Sequence, residues 1–124
     1  DIVAMREKIY AAHPNRSALF DLKHDRGGII DVEFVVQYLV LGHAHAYPEL
    51  TGNIGNLALL KLAGRMGLIP GAQAHAAHDA YREFRRRQHR LRLAGDRYAR
   101  VARDAVGAQV QAVLDLWRAV FGAS

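Results

Sequence analysis

The chain has 124 residues, of which 51% are hydrophobic, with 3 Pro, no Cys and a formal net charge of +5 that comes mostly from arginine. This length allows one domain with a substantial core, and the lack of cysteine excludes disulfide scaffolds, thiolate nucleophiles and cysteine-ligated zinc. No apolar run reaches the roughly 18 residues of a membrane span and no leader pattern opens the chain, so we expect neither a membrane segment nor a signal peptide.

The first helix is predicted over residues 1–12. Its apolar stripe consists of Ile2, Met5, Ile9 and Ala12. The charged residues Arg6, Glu7 and Lys8 lie away from this stripe, and the sequence His13-Pro14-Asn15 ends the helix. Because the chain begins at Asp1 rather than Met and is already helical there, we expect a piece of a longer polypeptide.

A polar loop over residues 15–28 and an apolar helix over residues 30–45 form the stretch around which we expect the other elements to pack. The loop brings charged residues, Asp21, Lys23, Asp25 and Arg26, up to two adjacent glycines, Gly27 and Gly28. Adjacent glycines allow a tight turn or a close backbone approach. The following helix is apolar on nearly every side, which is typical of a helix in the middle of a bundle.

Three polar residues, Asp31, Glu33 and Gln37, interrupt this helix. Glu33 and Gln37 share a face, whereas Asp31 lies roughly 200° from Glu33, so the two carboxylates are not a facing pair. We expect Asp31 to accept backbone N–H groups near the helix N-terminus.

Glu33 lies deeper and needs a partner, for which Lys23, Arg26 and the Gly-Gly amides are the nearest suppliers along the chain. Two interpretations remain open: a structural clasp between loop and helix, or a loop that faces a phosphate or nucleotide.

The second half of the chain is predicted to form further helices. A turn at 47–53 precedes a third helix, marked by Ile54, Leu57, Leu60 and Met66 and closed by Gly67; a second turn covers 68–71. A fourth helix is predicted over 72–94 and a final one over 97–121, which Gly107 bends or divides.

The apolar stripe of the fourth helix consists of Ala77, Tyr81, Phe84, Gln88 and Leu91. That of the final helix consists of Tyr98, Val101, Ala105, Ala112, Leu116 and Val120. Gly95-Asp96 separates the two helices, and Asp96 can cap the second. With no strand alternation and no repeat, the sequence predicts a single all-α domain over 1–124, a bundle of about five helices around the central apolar helix.

The fourth helix also carries a dense basic face. It consists of Arg82, Arg85, Arg86, Arg87, Arg90 and Arg92 with His89. A solvated or partner-facing surface is the first interpretation, phosphate or nucleotide contact the second, and nucleic acid the last, because no DNA- or RNA-binding motif accompanies it.

No catalytic set is apparent. His75 and His78 can share a face near Asp79, but a third strong metal ligand is missing, so we expect no metal site. The serines and Thr51 do not lie in a nucleophile-elbow pattern, and there is no Walker-type loop.

The stretch DLKHDRGGIIDVEFVVQYLVL, residues 21–41, resembles the helical segment of the glutamine synthetase adenylyltransferases, bifunctional bacterial nucleotidyltransferases of nitrogen regulation. The likeness continues through HAYPELTGN, the predicted helix at 56–67, AYREFRRRQHRLRL and LWRAVF. The sequence VQYLVL, followed by Pro-Glu-Leu-Thr and a Trp-containing chain end, resembles the C-terminal half of such an enzyme.

The resemblance implies a helical bundle that follows a nucleotidyltransferase domain, in an enzyme with one half that adenylylates glutamine synthetase and one that removes AMP. The family's metal-binding aspartates belong to a Gly-Ser…Asp-x-Asp pattern that this chain lacks, so we expect the fragment alone to be inactive. The implied cofactors are ATP and Mg²⁺, bound mainly outside this fragment. The implied partners are glutamine synthetase, a PII-type regulator and the preceding nucleotidyltransferase domain, in the cytoplasm and without membrane or nucleic acid.

The residues that match the family are Asp21, Lys23, Arg26, Gly27, Gly28, Asp31, Glu33 and Gln37. Those that the resemblance places near the nucleotide, where they would complete the neighbouring cleft, are Lys23, Arg26, Gly27, Gly28, Asp31 and Glu33. The chain departs from its relatives in carrying Ile54-Gly55-Asn56 where they often have Thr-Asp-Asn, so a role of that Asp does not carry over to Gly55.

Overall fold

The computed structural model describes residues 1–43, 46 and 55–122, and over these residues it is a bundle of five α-helices. The helices are α1 (Ile2–Ala12), α2 (Ile29–His43), α3 (Asn56–Arg65), α4 (Gly71–Leu93) and α5 (Gly107–Phe121). The prediction of an all-α bundle is confirmed. None of the described helices is long and apolar enough to cross a membrane.

Helix α2 lies at the centre and contacts all four other helices. Its fully buried apolar side chains include Val32 and Val35, which join Leu60 of α3, Phe84 of α4 and Leu116 of α5 in one core cluster. The central position follows from composition, because a helix that is apolar all round loses least free energy when every face is covered.

The predicted bounds of α2, α3 and α4 agree with the structure within one or two residues wherever the structure describes them. Helix α3 closes before Gly67, as predicted, and the predicted stripe of α4 is buried or half-buried along its length. The predicted end of α2 at His45, the turn at 47–53 and the start of the third helix at Ile54 lie outside the described residues.

The predicted orientation of α1 is wrong. Met5, which we placed on the apolar stripe, is 54% exposed, and Arg6, which we placed away from it, is completely buried. Helix α1 turns Arg6 inward because its guanidinium pairs with Asp31 of α2, and a tertiary ion pair of this kind overrides a weak apolar pattern.

The prediction of a helix from Arg97 onward is also wrong, because helix α5 begins only at Gly107. Residues 100–101 form a short strand β2 that pairs antiparallel with strand β1 (Phe20–Asp21), in the register Phe20↔Val101 and Asp21↔Arg100. A 3₁₀ turn, Arg103–Ala105, follows.

The backbone at 99–101 bonds to the N-terminal loop rather than within a helix, as in the 2.8 Å hydrogen bond from Leu22 N–H to the Ala99 carbonyl. Asp96 accordingly caps no helix, and Val106 is the N-cap residue of α5.

We expect Gly27→Ala to lower the free energy of unfolding by about 2 kcal/mol or more. Gly27 has a φ of +89°, and a Cβ at this position would lie 2.7 Å from Cγ1 of Val110 on α5, so both backbone strain and overpacking oppose the substitution. Urea unfolding followed by circular dichroism measures the effect.

Gly107→Ala is the matched control, because Gly107 has negative φ and open space around its Cβ direction. It is expected to be neutral or stabilising by up to about 1 kcal/mol. Equal stabilities of the two variants would contradict the packing of Gly27 against α5.

Candidate functional site

The N-terminal loop is fastened to α2 by the carboxylate of Asp31, which is completely buried. Its Oδ2 accepts hydrogen bonds from the Gly27 N–H at 2.6 Å and from Nε of Arg26 at 3.3 Å, and its Oδ1 accepts from Nε of Arg6. We call these four residues, Arg6, Arg26, Gly27 and Asp31, the clasp. A buried carboxylate is tolerated when cations and N–H donors satisfy both of its oxygens, as here.

The two arginines connect the clasp to the other elements. Nη2 of Arg6 donates to the His24 carbonyl at 2.9 Å, which joins α1 to the loop. The guanidinium of Arg26 lies 4.7 Å from the ring centre of Trp117 on α5 and reaches Glu7 of α1 at 3.4 Å. One carboxylate thereby holds α1, the loop, α2 and α5 together.

Two further carboxylates fix the course of the loop itself. Asp21 Oδ1 accepts from the backbone N–H groups of Lys23 (3.0 Å) and His24 (2.9 Å), and its Oδ2 accepts from Nε of Arg100 (3.3 Å). Oδ2 of Asp25 accepts from the Asp21 N–H at 2.9 Å. These are side chain to backbone bonds that define turns, and they leave the Lys23 side chain exposed at the turn.

The two glycine amides point into the protein. The Gly27 N–H donates to Asp31, and the Gly28 N–H donates to the Asp25 carbonyl at 3.0 Å. A Cβ on Gly28 would lie 2.5 Å from the Leu22 carbonyl oxygen. Close backbone approach explains both glycines, and neither amide is free to bind a phosphate in this arrangement.

The prediction that Lys23, Arg26 and the glycine amides pair with Glu33 is wrong, because Arg26 and the Gly27 amide serve Asp31 instead. Oε2 of Glu33 accepts a hydrogen bond from the Tyr81 hydroxyl at 3.1 Å, and Asn56 donates to that hydroxyl at 3.2 Å.

Burial, reinforced by the adjacent Glu33 carboxylate, raises the pKa of Tyr81. Asp31 and Glu33 therefore have separate partners, as their spacing predicted, and Gln37 on the Glu33 face is exposed.

The residues predicted to lie near the nucleotide thus fall into two groups, which differ in solvent exposure. Gly27, Gly28 and Asp31 are buried, and Arg26 and Glu33 are half-buried with protein partners. Lys23 is exposed. Their role at a nucleotide stays a prediction, and the geometry makes Lys23 the group best placed to reach a ligand.

Lys23 borders a cavity of about 480 Å³ that the sequence did not reveal. We call it the basic pocket; its charged and aromatic lining consists of His13, Asp21, Lys23, His24, Arg92, Asp96, Arg97, Tyr98 and Arg100. It lies between the loop, the end of α4 and the segment before β2. Sequence reasoning missed it because it placed residues 97–100 in a helix.

The arginine face of α4 is partly neutralised by its own carboxylates. Arg86 and Arg87 both bond to Glu83, at 2.7 and 2.6 Å, and these bonds, chiefly the one from Arg86, lower the pKa of Glu83 to about 2. Arg82 lies 3.5 Å from Asp79. Arg90 is exposed and has no carboxylate partner among the described residues.

His75 and His78 both lie against Asp79, at 3.3 and 3.1 Å. Within 1–43, 46 and 55–122, no group of three His, Cys, Asp or Glu side chains is arranged to hold a metal ion.

The sequence of this chain is similar to those of known proteins. A family model described as GlnD PII-uridylyltransferase matches residues 3–113. The chain is 56% identical over 136 residues to a bifunctional glutamine synthetase adenylyltransferase/adenylyl-removing enzyme from Nitrosomonas europaea, covering 98% of this chain and 15% of the relative.

Enzymes with the same name from Aromatoleum aromaticum and Bordetella bronchiseptica are 56% and 57% identical, over 100% and 97% of this chain and 13% of each relative. The resemblance drawn from the loop and α2 is confirmed. The chain spans about one-seventh of the length of these curated relatives, and its assignment to the C-terminal half stays a prediction.

We expect Asp31→Asn to lower the free energy of unfolding by about 3–5 kcal/mol, because it leaves the buried Arg6 guanidinium without its carboxylate. The combined Arg6→Met/Asp31→Leu variant should recover part of that loss, because it removes both charges of the buried pair, although the buried Gly27 N–H loses its acceptor. Urea denaturation of the two variants measures both effects.

Asp115→Asn on α5 is the control, because this carboxylate is 44% exposed and lies 4.0 Å from Arg118. Its cost should stay below about 1 kcal/mol. A loss in Asp31→Asn no larger than this control would show that the clasp does not hold the fold.

Proposed function

This chain belongs to the GlnD PII-uridylyltransferase family, and on that premise we propose that it is the helical accessory domain of a bifunctional enzyme that adenylylates glutamine synthetase and removes the adenylyl group. The names of its relatives, together with identity across nearly the whole chain, support this proposal. In it, the domain acts together with a nucleotidyltransferase domain and has no activity alone.

The exposed Lys23 ammonium, on a loop fixed by buried carboxylates, is the observation that carries the proposal. The carboxylates of Asp21 and Asp31 accept hydrogen bonds from loop backbone N–H groups, so the backbone of Lys23 is fixed by the fold. A cation that extends from a fixed backbone beside the ligand stabilises developing phosphate charge.

The described side chains of the loop and of α2 fit the phosphate part of ATP and do not fit Mg²⁺. Both oxygens of Asp31 already accept from Arg6, Arg26 and Gly27, and Glu33 accepts from Tyr81. A divalent cation requires carboxylate oxygens that are free to coordinate it. In this proposal Mg²⁺ is held by the neighbouring domain, and Lys23 neutralises triphosphate charge from this side.

Docking of the protein substrate is the second candidate function, favoured by the arginine face of α4. Arg82 and Arg86 keep exposed guanidinium groups despite their internal pairs, with 66% and 52% of each side chain accessible, and Arg90 adds a further exposed cation. Such a face is complementary to an acidic surface of glutamine synthetase or of a PII-type regulator.

In the complete enzyme, Lys23→Ala should lower kcat/KM for adenylylation of glutamine synthetase about a hundredfold, which corresponds to roughly 2.7 kcal/mol. The reason is the loss of a cation near the triphosphate. Steady-state kinetics with varied ATP measures the change, and thermal melting by circular dichroism should show an unchanged fold.

Lys61→Ala, which removes an exposed lysine from α3, serves as the control and should leave kcat/KM unaltered. Near-normal kcat/KM in Lys23→Ala would remove this loop from the nucleotide site.

The docking candidate predicts that Arg82→Gln/Arg86→Gln/Arg90→Gln raises the KM for glutamine synthetase about tenfold while the KM for ATP is unchanged, because only the protein-binding surface loses charge. Lys61→Gln/Arg65→Gln/Arg118→Gln removes three exposed cations from α3 and α5 and is the charge-matched control. An unaltered KM for glutamine synthetase in the triple variant would exclude docking through α4.

A further inference from the structure

The basic pocket collects more positive charge than it neutralises. Four permanent cations and two carboxylates line it, so its formal charge is +2 with both histidines neutral. The cations come from separate segments: Lys23 from the loop, Arg92 from the end of α4, Arg97 from the stretch before β2, and Arg100 from β2 itself. Like charges brought together by tertiary structure repel each other unless an anion lies among them.

Most of these cations have no internal carboxylate partner. Nε of Arg100 bonds to Asp21 at 3.3 Å. Lys23, Arg92 and Arg97 form no ion pair with any carboxylate of the described residues. Arg97 and Arg100 both lie against the Tyr98 ring, with their guanidinium carbons 5.2 and 4.0 Å from its centre. Stacking on a ring orients a guanidinium while its N–H groups stay available to a ligand.

The histidines of the pocket give a second, independent observation. His13 and His24 stack with ring centres 4.1 Å apart and planes 6° apart. Nδ1 of His24 is buried and has no hydrogen-bond partner within the part of the chain that the structure describes.

Burial, followed by the neighbouring His13, lowers the pKa of His24; Asp21 acts in the opposite direction, and Lys23 and Arg6 lower it further. Burial is therefore the main reason for the lowered pKa, and Nδ1 of this imidazole is a buried polar atom that lacks a partner.

We propose that the basic pocket is a binding site for a small phosphate-bearing anion, held by Lys23, Arg92, Arg97 and Arg100. Guanidinium groups present paired N–H donors that match phosphate oxygens, and a lysine adds a point charge. The cavity of about 480 Å³ lies within the size range of small-molecule sites. The proposal shares Lys23 with the proposed nucleotide contact and goes beyond it by adding Arg92, Arg97 and Arg100, which line the same cavity.

Titration of the ¹⁵N-labelled 124-residue chain tests the proposal at constant ionic strength, with inorganic phosphate, pyrophosphate, AMP and adenosine as separate probes. Saturable shift changes with phosphate or pyrophosphate, confined to residues 23–24 and 92–100, are the expected result. Absence of saturable binding up to about 10 mM of each phosphate probe would overturn the proposal.

Arg92→Gln/Arg97→Gln is the informative variant, because both side chains are exposed and their removal leaves the core intact. It should weaken phosphate binding by at least about tenfold. Arg65→Gln/Arg118→Gln lowers the net charge equally at other sites and should bind as the parent chain does. Equal weakening of phosphate binding in the two variants would indicate a non-specific charge effect and would contradict the proposal.

The probes also identify the source of the phosphate group. Tighter binding of AMP than of phosphate, with competition by adenosine, indicates a nucleotide; equal binding of AMP and phosphate indicates recognition of the phosphate group alone. Both support the site. Binding to duplex DNA without binding to any small phosphate would reject it in favour of a nucleic-acid surface.

A failure here is distinguishable from a failure of the proposed function. The pocket is tested by ligand binding to this chain through Arg92 and Arg97, whereas the accessory role is tested by kcat/KM of the complete enzyme through Lys23. Loss of one result leaves the other standing.

Discussion

The burial of one carboxylate, Asp31, is the constraint on which this structure depends. An ionised group without solvent must be met by donors from the protein itself, and here three residues supply them: Arg6 of α1, and Arg26 and Gly27 of the loop. The position of α1, the glycine at the turn and the contact of Arg26 with Trp117 on α5 all follow from satisfying this group.

The pairing of carboxylates within the fold also explains the positive charge of the surface. Asp21, Asp25 and Asp31 are buried and paired within the loop, and Glu83 binds two arginines on α4. Many acidic groups are thus paired within the fold, whereas many cations remain at the surface. The positive charge of the chain is therefore concentrated where anions or acidic proteins can reach it, at Lys23, in the basic pocket and along α4.

The helical core could be predicted from sequence because its signal is local. Apolar periodicity and terminal glycines defined α2, α3 and α4. The errors lie where a partner distant in sequence determines the local structure. Arg6 is buried because it pairs with a carboxylate 25 residues away. The segment at 97–106 has apolar residues at helical spacing, but residues 99–101 bond to the loop. The Gly95-Asp96 break and Gly107 were the local signs that this segment stands apart from α5.

The clasp and the basic pocket both include residues of the same loop, so the stability of the fold and the binding of a ligand are linked. His24 illustrates the connection: its carbonyl accepts from Arg6 of the clasp, while its ring stacks on His13 in the pocket. Asp21 does the same, with one oxygen on the loop backbone and the other on Arg100. Because buried contacts fix the loop backbone from within, a ligand need not supply the free energy of ordering that backbone, and only the exposed side chains remain to be ordered on binding.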